Sequence, residues 1–161
     1  MMKHRGKNDL IEWFLPSQLA CGGSPHLNAK DSVRKEVDWW IDQVKTSGLR
    51  SVICLLGDSE LETHYGAVPG GLIHYVSRNG LEVRRVPAAD YQSPPLRGSH
   101  LQAVWAAFQE LPKPVLVQCL RGISRSRHAA DFIARRVHRA QHRPRAASLF
   151  LSLPLLARLF S

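Results

Sequence analysis

Cysteine is scarce in this chain: only three of its 161 residues are cysteine, and their spacing is irregular. Small secreted domains that are held together by disulfides need many cysteines, so the sequence excludes that class. The basic N-terminal residues 1–9 have no apolar segment behind them and are not typical of a secretory signal. We therefore expect a reducing compartment and a cytoplasmic protein.

Long apolar runs and clustered metal ligands are also missing. The longest apolar stretch, residues 148–160, contains Pro154 and is too short to cross a bilayer, so we predict no membrane span. His64, His74 and His100 show no ligand spacing with one another or with the cysteines. We therefore predict no metal and no cofactor. No internal repeat divides the chain, and its length fits one domain.

Acidic residues nearly disappear from the C-terminal part of the chain. Residues 121–161 contain nine arginines and a single acidic residue, Asp131, a balance of +8. Residues 1–120 contain 13 basic and 12 acidic residues, which accounts for the remaining unit of the net charge of +9. This excess predicts attraction to acidic or phosphate-rich partners, nucleic acid included. A solvated basic helix and tail would explain it equally well.

Strand and helix patterns alternate along the chain. Strands are predicted at residues 12–15, 18–21, 51–56, 82–86 and 115–117. Helices are predicted at residues 31–47 with Asp31 as the N-cap, at 72–79, at 99–111 starting from Ser99, and after Ser126. The alternation predicts an α/β fold, in which a single domain has a central, mostly parallel, twisted sheet flanked by helices.

The stretch that carries the chemistry is residues 114–128, a strand followed by a tight loop and the start of a helix. Cys119 ends the strand, Gly122 lies where the loop turns, and Arg125 comes shortly before the helix. Backbone N–H groups of such a loop converge on an anion, and the helix N-terminus adds positive potential. The same field favours the nucleophilic thiolate form of Cys119, and Arg125 offers a planar fork for two phosphate oxygens.

The segment Cys119-Leu-Arg-Gly-Ile-Ser-Arg-Ser126 resembles the phosphate-binding loop of dual-specificity, cysteine-dependent protein phosphatases. The resemblance extends over residues 10–140, and in the N-terminal half it is nearest to the kinase-associated branch. It implies a phosphatase domain at 10–142, between a basic extension at 1–9 and an atypical apolar segment at 143–161. That segment completes the domain as a helix, lies on a membrane surface or is an appended end.

The resemblance implies hydrolysis of phosphotyrosine and of phosphoserine or phosphothreonine in proteins, through a phosphocysteine on Cys119 and without a cofactor. Asp90, in a proline-rich loop 29 residues before Cys119, would be the general acid. Ser126 would help the sulfur to leave as a thiolate. The phosphate would bind to a loop formed by Leu120, Arg121, Gly122, Ile123, Ser124 and Arg125. The Arg121 side chain would either attract polyanionic substrates or simply be exposed to solvent.

The sequence departs from the family next to Cys119, and it also leaves other functions open. Gln118 stands where the family has a histidine that organises the loop; glutamine can form hydrogen bonds but carries no charge, so lower activity is expected. Cys54, late in a central strand, is a candidate redox partner of Cys119 or else a small buried hydrophobe. The alternative functions are a phosphate-binding module of low activity, an RNA 5′-phosphatase and a rhodanese-like sulfurtransferase. A pure binder would need neither Cys119 nor Asp90.

Overall fold

Five strands form a single sheet in the computed structural model, which describes residues 10–25 and 32–144. The strands are β1 (Ile11–Leu15), β2 (Leu19–Gly23), β3 (Ser51–Cys54), β4 (Glu82–Arg85) and β5 (Val115–Cys119), in the spatial order β1-β2-β5-β3-β4. Strand β1 pairs with β2 in the antiparallel sense, and the other three pairings are parallel. This confirms the predicted α/β domain with a mostly parallel sheet. The extension 1–9, Asp31 and residues 145–161 lie outside the described residues.

Strand β5 occupies the middle of the sheet, with β2 on one side and β3 on the other. All five of its residues are buried, as expected for an apolar run in a parallel sheet that is covered on both faces. Cys119 lies opposite Gly23 of β2, and Gln118 lies opposite both Gly22 of β2 and Cys54 of β3. The loop that follows Cys119 therefore leaves the sheet at the carboxyl ends of three parallel strands, where ligands of α/β proteins usually bind.

Within the described residues, five helices flank the sheet: α1 (Val33–Thr46), α2 (Asp58–Tyr65), α3 (Leu72–Arg78), α4 (Gly98–Glu110) and α5 (Arg125–Gln141). The N-cap of α1 is Ser32 rather than Asp31, because the Ser32 hydroxyl accepts a hydrogen bond from the Lys35 N–H at 3.2 Å. Helix α4 begins at Gly98 after the N-cap Arg97, so Ser99 lies in its first turn. The sequence patterns missed α2, since Tyr65 is its only buried residue.

The core consists of two apolar layers, one on each face of the sheet. The layer on the side of Cys119 is built from the sheet with α4 and α5, and includes Ile53, Val117, Phe108 and Ile133. The opposite layer joins the sheet to α1, α2 and α3, and includes Val52, Leu116, Trp40, Tyr65 and Leu72. Because side chains alternate along a strand, neighbouring residues of β5 point into different layers.

Candidate active site

The Cys119 loop, residues 119–125, brings two hydrogen-bond donors to one sulfur. The Gly122 N–H points at Cys119 Sγ from 3.2 Å, and Ser126 Oγ lies 3.1 Å from the same sulfur. Cys119 is 3% exposed, so little water competes for these contacts. When the sulfur is a thiolate, the amide and the hydroxyl can both donate hydrogen bonds to it.

At Gly122 of this loop, backbone atoms of β2 fill the space that a side chain would need. Its φ is +71°, in the left-handed region that favours glycine. A Cβ at this position would come within 2.5 Å of Gly23 N and 2.6 Å of the carbonyl carbon of Gly22. The Cys119 loop therefore packs directly against the end of β2, and only glycine allows this approach.

Arg125, the first residue of α5, is 1% exposed, and its guanidinium is held on several sides. Nη1 and Nη2 donate to the two carboxylate oxygens of Glu60 at 2.7 and 2.8 Å, and Nη1 also donates to Ala88 O at 2.7 Å. Nε is buried and has no hydrogen-bond partner within the described part of the chain. An unpaired buried N–H is costly, and an anion seated at the loop would satisfy it. The donor of the Arg125 guanidinium that still lacks a partner among the described residues is therefore Nε, as is also the case for Arg85, and not the fork at Nη1 and Nη2.

Glu60, on α2, is the site residue whose role the sequence did not reveal. Burial raises its pKa, but the hydrogen bonds from Arg125 and from the Gly57 N–H, together with the Arg125 charge, lower it by more. For Arg125, burial lowers the pKa, and the bond to Glu60 and the nearby negative charges raise it by more. Each partner therefore holds the other in its charged form. One sequence signal was available: a glutamate three residues after a possible N-cap glycine is typical of a helix start. The structure has this arrangement, because the Gly57 N–H donates to Glu60 Oε1 at 3.1 Å across the first turn of α2.

The loop after β4 brings Asp90 to the same guanidinium. Asp90 Oδ2 lies 3.4 Å from Arg125 Nη2, and its side chain is 26% exposed. Asp90 Oδ1 accepts the Tyr91 N–H at 2.9 Å, and further along the loop the Leu96 N–H donates to His128 Nδ1 on α5 at 3.2 Å. The predicted acid, the predicted arginine and the predicted nucleophile are therefore gathered at one end of the sheet.

The structure does not bring Cys54 to Cys119. Cys54 lies opposite Gln118, so its side chain points into the layer on the other face of the sheet from Cys119. Cys21 instead shares the Cys119 face, and its thiol interacts with Ser126 and with Cys119. Burial raises the pKa of both Cys21 and Cys54 to about 11. The cysteine nearer to the candidate nucleophile is thus Cys21, which sequence reasoning passed over.

Gln118 is 2% exposed and faces away from the thiol. Its Nε2 donates to Ser24 Oγ at 2.8 Å, and Ser24 Oγ donates to the backbone carbonyl of Cys119 at 3.1 Å. The position at which the family has histidine is therefore occupied by an uncharged side chain with a defined partner.

The rim of the site combines apolar and basic side chains. Tyr91 is 90% exposed and Ile123 is 63% exposed, and the Arg121 side chain is also exposed. Of the α5 arginines, Arg127 pairs with Glu12, and Arg136 lies over the Trp105 ring at 4.9 Å. Some of the excess positive charge of the C-terminal part is therefore paired or stacked against other side chains of the domain.

The described ranges, 10–25 and 32–144, show neither a cluster of metal ligands nor a membrane-spanning helix. They contain no group of three or more His, Cys, Asp or Glu residues arranged to hold a metal ion. None of their helices is both long enough and apolar enough to cross a membrane.

Comparison with known proteins places the fold. No family model and no curated protein sequence matches the chain. Among solved structures, a candidate phosphatase of the DUF442 group from Shewanella putrefaciens CN-32 is 22% identical with a TM-score of 0.58, over 83% of this chain and 74% of that one. Kinase-associated phosphatase, crystallised with its catalytic-site cysteine replaced by serine, is 18% identical with a TM-score of 0.57, over 74% of this chain and 65% of that one. The chain therefore shares the α/β fold of these two phosphatases, and an α/β fold is what its sequence predicts.

Proposed function

We propose that this protein is a cysteine-dependent phosphomonoester hydrolase that acts on phosphotyrosine and on phosphoserine or phosphothreonine in proteins. The observation that carries the proposal is the arrangement around Cys119. An amide N–H and a hydroxyl face its sulfur, and Arg125 next to it keeps one buried N–H without a partner in the described chain. A dianionic phosphate on the loop would complete this arrangement.

In the first step the Cys119 thiolate attacks phosphorus, so that a phosphorus–sulfur bond forms and the bond to the ester oxygen breaks. Asp90 gives its proton to the departing oxygen, which therefore leaves as an alcohol or phenol. Arg125 and the loop amides stabilise the charge on the three equatorial oxygens. The support for this role is positional: Asp90 Oδ2 lies 3.4 Å from Nη2 of Arg125, the residue that would bind the phosphate.

In the second step water attacks the phosphocysteine and gives a proton to the Asp90 carboxylate. The phosphorus–sulfur bond breaks, and the electron pair returns to the sulfur as a thiolate. The Ser126 hydroxyl, 3.1 Å from the sulfur, donates a hydrogen bond to this leaving group. Inorganic phosphate is released and the starting state is restored.

Support for protein substrates comes from the resemblance to the dual-specificity family and from the rim. Tyr91 and Ile123 stand exposed on the two loops that border the site, where they could contact the side chain that bears the phosphate. The basic C-terminal part would attract acidic or phosphate-rich partners. Asp90 beside Arg125 favours a phosphatase over a sulfurtransferase, which requires no acid at this position.

The test compares wild type with Cys119→Ser on p-nitrophenyl phosphate, phosphopeptides, 5′-triphosphate RNA and thiosulfate. We expect the wild type to hydrolyse the first two, and Cys119→Ser to lose all turnover while still binding tungstate, because it removes the nucleophile and keeps the anion seat. Turnover that persists in Cys119→Ser would contradict the proposal. Faster turnover of RNA or thiosulfate than of phosphopeptides would assign another substrate class, and tungstate binding without any turnover would indicate a binding module.

A further inference from the structure

The start of the Cys119 loop is held by one residue from a neighbouring strand end. The backbone N–H of Ser24 is shared between Cys119 O at 2.9 Å and Leu120 O at 3.2 Å, and Ser24 Oγ donates to Cys119 O at 3.1 Å. The first carbonyl of the loop therefore accepts two hydrogen bonds from the same residue. Ser24 is 5% exposed, so these bonds form in a region with little competing water.

The Ser24 hydroxyl has its own donor, because Gln118 Nε2 donates to Ser24 Oγ at 2.8 Å. The directions follow from the chemistry of the three groups. A carbonyl oxygen can only accept, so Ser24 must give its hydroxyl proton to Cys119 O and accept from the amide of Gln118. The Gln118 amide therefore donates to the Ser24 hydroxyl, and that hydroxyl donates to the Cys119 carbonyl. None of these three groups carries a charge, and we call this chain of two hydrogen bonds the relay.

This relay fixes the direction of backbone amides. In a trans peptide the N–H points away from the carbonyl of the preceding residue, and the described chain has cis bonds only before Pro94 and Pro114. Cys119 O and Leu120 O both point at Ser24, so the N–H groups of Leu120 and Arg121 must point away from it. Those two amides belong to the loop that would cradle the phosphate.

Ser24 is itself anchored, which gives the relay a rigid base. The flanking carbonyls are held by Trp40 Nε1, which donates to Gly23 O at 2.9 Å, and by the Tyr65 hydroxyl, which donates to Pro25 O at 2.8 Å. These donors come from α1 and α2, on the far side of the sheet from Cys119. Helices α1 and α2 therefore hold residues 23–25 in place, and through Ser24 they also hold the start of the Cys119 loop.

We propose that Ser24 and Gln118 are positioning residues that orient the first two amides of the Cys119 loop and thereby set the reactivity of the Cys119 sulfur. The proposal rests on the proposed function, and it goes beyond the resemblance because a neutral glutamine–serine pair here takes the place of the family histidine. The relay acts on the backbone and touches neither the phosphate nor the sulfur.

The test measures alkylation of Cys119 by iodoacetamide, which requires no turnover, together with kcat/KM for p-nitrophenyl phosphate. Cys119→Ser gives the background from the other cysteines, which should be low because burial raises the pKa of Cys21 and Cys54 to about 11. Ser24→Ala should lower both the alkylation rate and kcat/KM by about fivefold to tenfold, the rate equivalent of one lost hydrogen bond. The thermal unfolding midpoint should also fall, because the Gln118 amide loses its partner.

Two further variants separate positioning from simple stabilisation. Ser24→Ala combined with Gln118→Leu removes both partners, so the unfolding midpoint should recover while alkylation and kcat/KM stay low. Ser51→Ala is the matched control, since it deletes another buried serine hydroxyl that donates to a backbone carbonyl, that of Pro112, at 2.6 Å and at the opposite end of the sheet. It should lower the midpoint and leave both rates within about twofold, well short of one hydrogen bond.

Two results would overturn the relay: rates within about twofold of wild type in Ser24→Ala, or recovery of both rates in the double variant together with its stability. If the phosphatase assignment itself were wrong, the same measurements would give a different pattern. Wild type would then not turn over any phosphomonoester, while the alkylation rates would still report whether Ser24 sets the reactivity of the sulfur.

Discussion

The Cys119 loop is held differently on its two sides. On the β2 side the contacts are uncharged: Ser24 binds two carbonyls, and Gly122 packs against the Gly22–Gly23 backbone. On the other side they are ionic, since Arg125 is held by Glu60 and contacts Asp90. The neutral side would therefore define the shape of the proposed anion site at any pH. In the proposed mechanism, the ionic side contains the groups that bind the phosphate charge and transfer protons, so its contribution should change with pH.

The largest effect is expected from the proton donor on the ionic side. Asp90→Ala should lower kcat by about 10²- to 10⁴-fold for phosphotyrosine or an alkyl phosphate, because the leaving oxygen then departs without a proton. An aryl phosphate whose phenol is strongly acidic should lose much less. The wild-type pH–rate profile should be bell-shaped, and only its descending limb should vanish in Asp90→Ala.

Equal losses for all leaving groups, or a descending limb that survives, would show that Asp90 is not the acid. The other acidic residues that follow a sheet strand, Asp58, Glu60 and Glu62, would then need testing. Asp58 already pairs with Arg85 at 2.7 Å and Glu60 with Arg125, so Glu62 would be the first to replace.

The next largest effect is expected at the arginine. Arg125→Lys keeps one positive charge but cannot hold Glu60 with two donors and also present an N–H to phosphate. We expect kcat/KM to fall by about 10²- to 10³-fold, as when one donor to the transition state is lost, and tungstate to bind more weakly.

Arg85→Lys is the matched control, because Arg85 also binds a carboxylate and a backbone carbonyl, those of Asp58 and Leu56, but it belongs to the edge strand β4 and not to α5. Its kinetics should stay within about threefold of wild type, far from the loss of a transition-state donor. If Arg125→Lys changed the unfolding midpoint and left kinetics intact, Arg125 would be structural only.

The smallest of the three effects expected on the ionic side concerns Glu60→Gln. The variant keeps the shape of the carboxylate but lets the guanidinium shift, so kcat/KM should fall by about tenfold to a hundredfold. In wild type the folded-state pKa of Glu60 lies below its ordinary value, so its ion pair stabilises the fold above that value. This stabilisation should disappear as the pH falls from about 4.3 through the lowered pKa.

Urea unfolding at a series of pH values should therefore show a flatter acid limb in Glu60→Gln than in wild type. Glu110→Gln provides the control, because Glu110 pairs with Arg84 at 2.8 Å with both side chains about half exposed, and such pairs contribute little. The same acid limb in wild type and Glu60→Gln would mean that the Glu60 pair does not stabilise the fold.

The Cys119 loop and the residues that hold it differ in how far sequence could predict them. Cys119, Gly122 and Arg125 follow one another along the chain, so a local pattern of strand, loop and helix was enough to find them. Glu60 lies on a helix with one buried residue, and no apolar periodicity marks such a helix. Cys54 and Cys21 show a further limit: which cysteine shares the Cys119 face depends on strand register, which only the paired sheet provides.

The central position of β5 has a consequence for how activity should be lost. Its amides are paired with both β2 and β3, so they should be among the slowest to exchange with deuterium and should open only with the whole domain. The proposed nucleophile is thus attached to the part of the domain that we expect to open last, whereas Asp90 lies in a loop whose hydrogen bonds are partly exposed. Mild denaturant should therefore release the acid loop before the nucleophile, leaving a population that still binds an anion at Cys119 but transfers protons poorly.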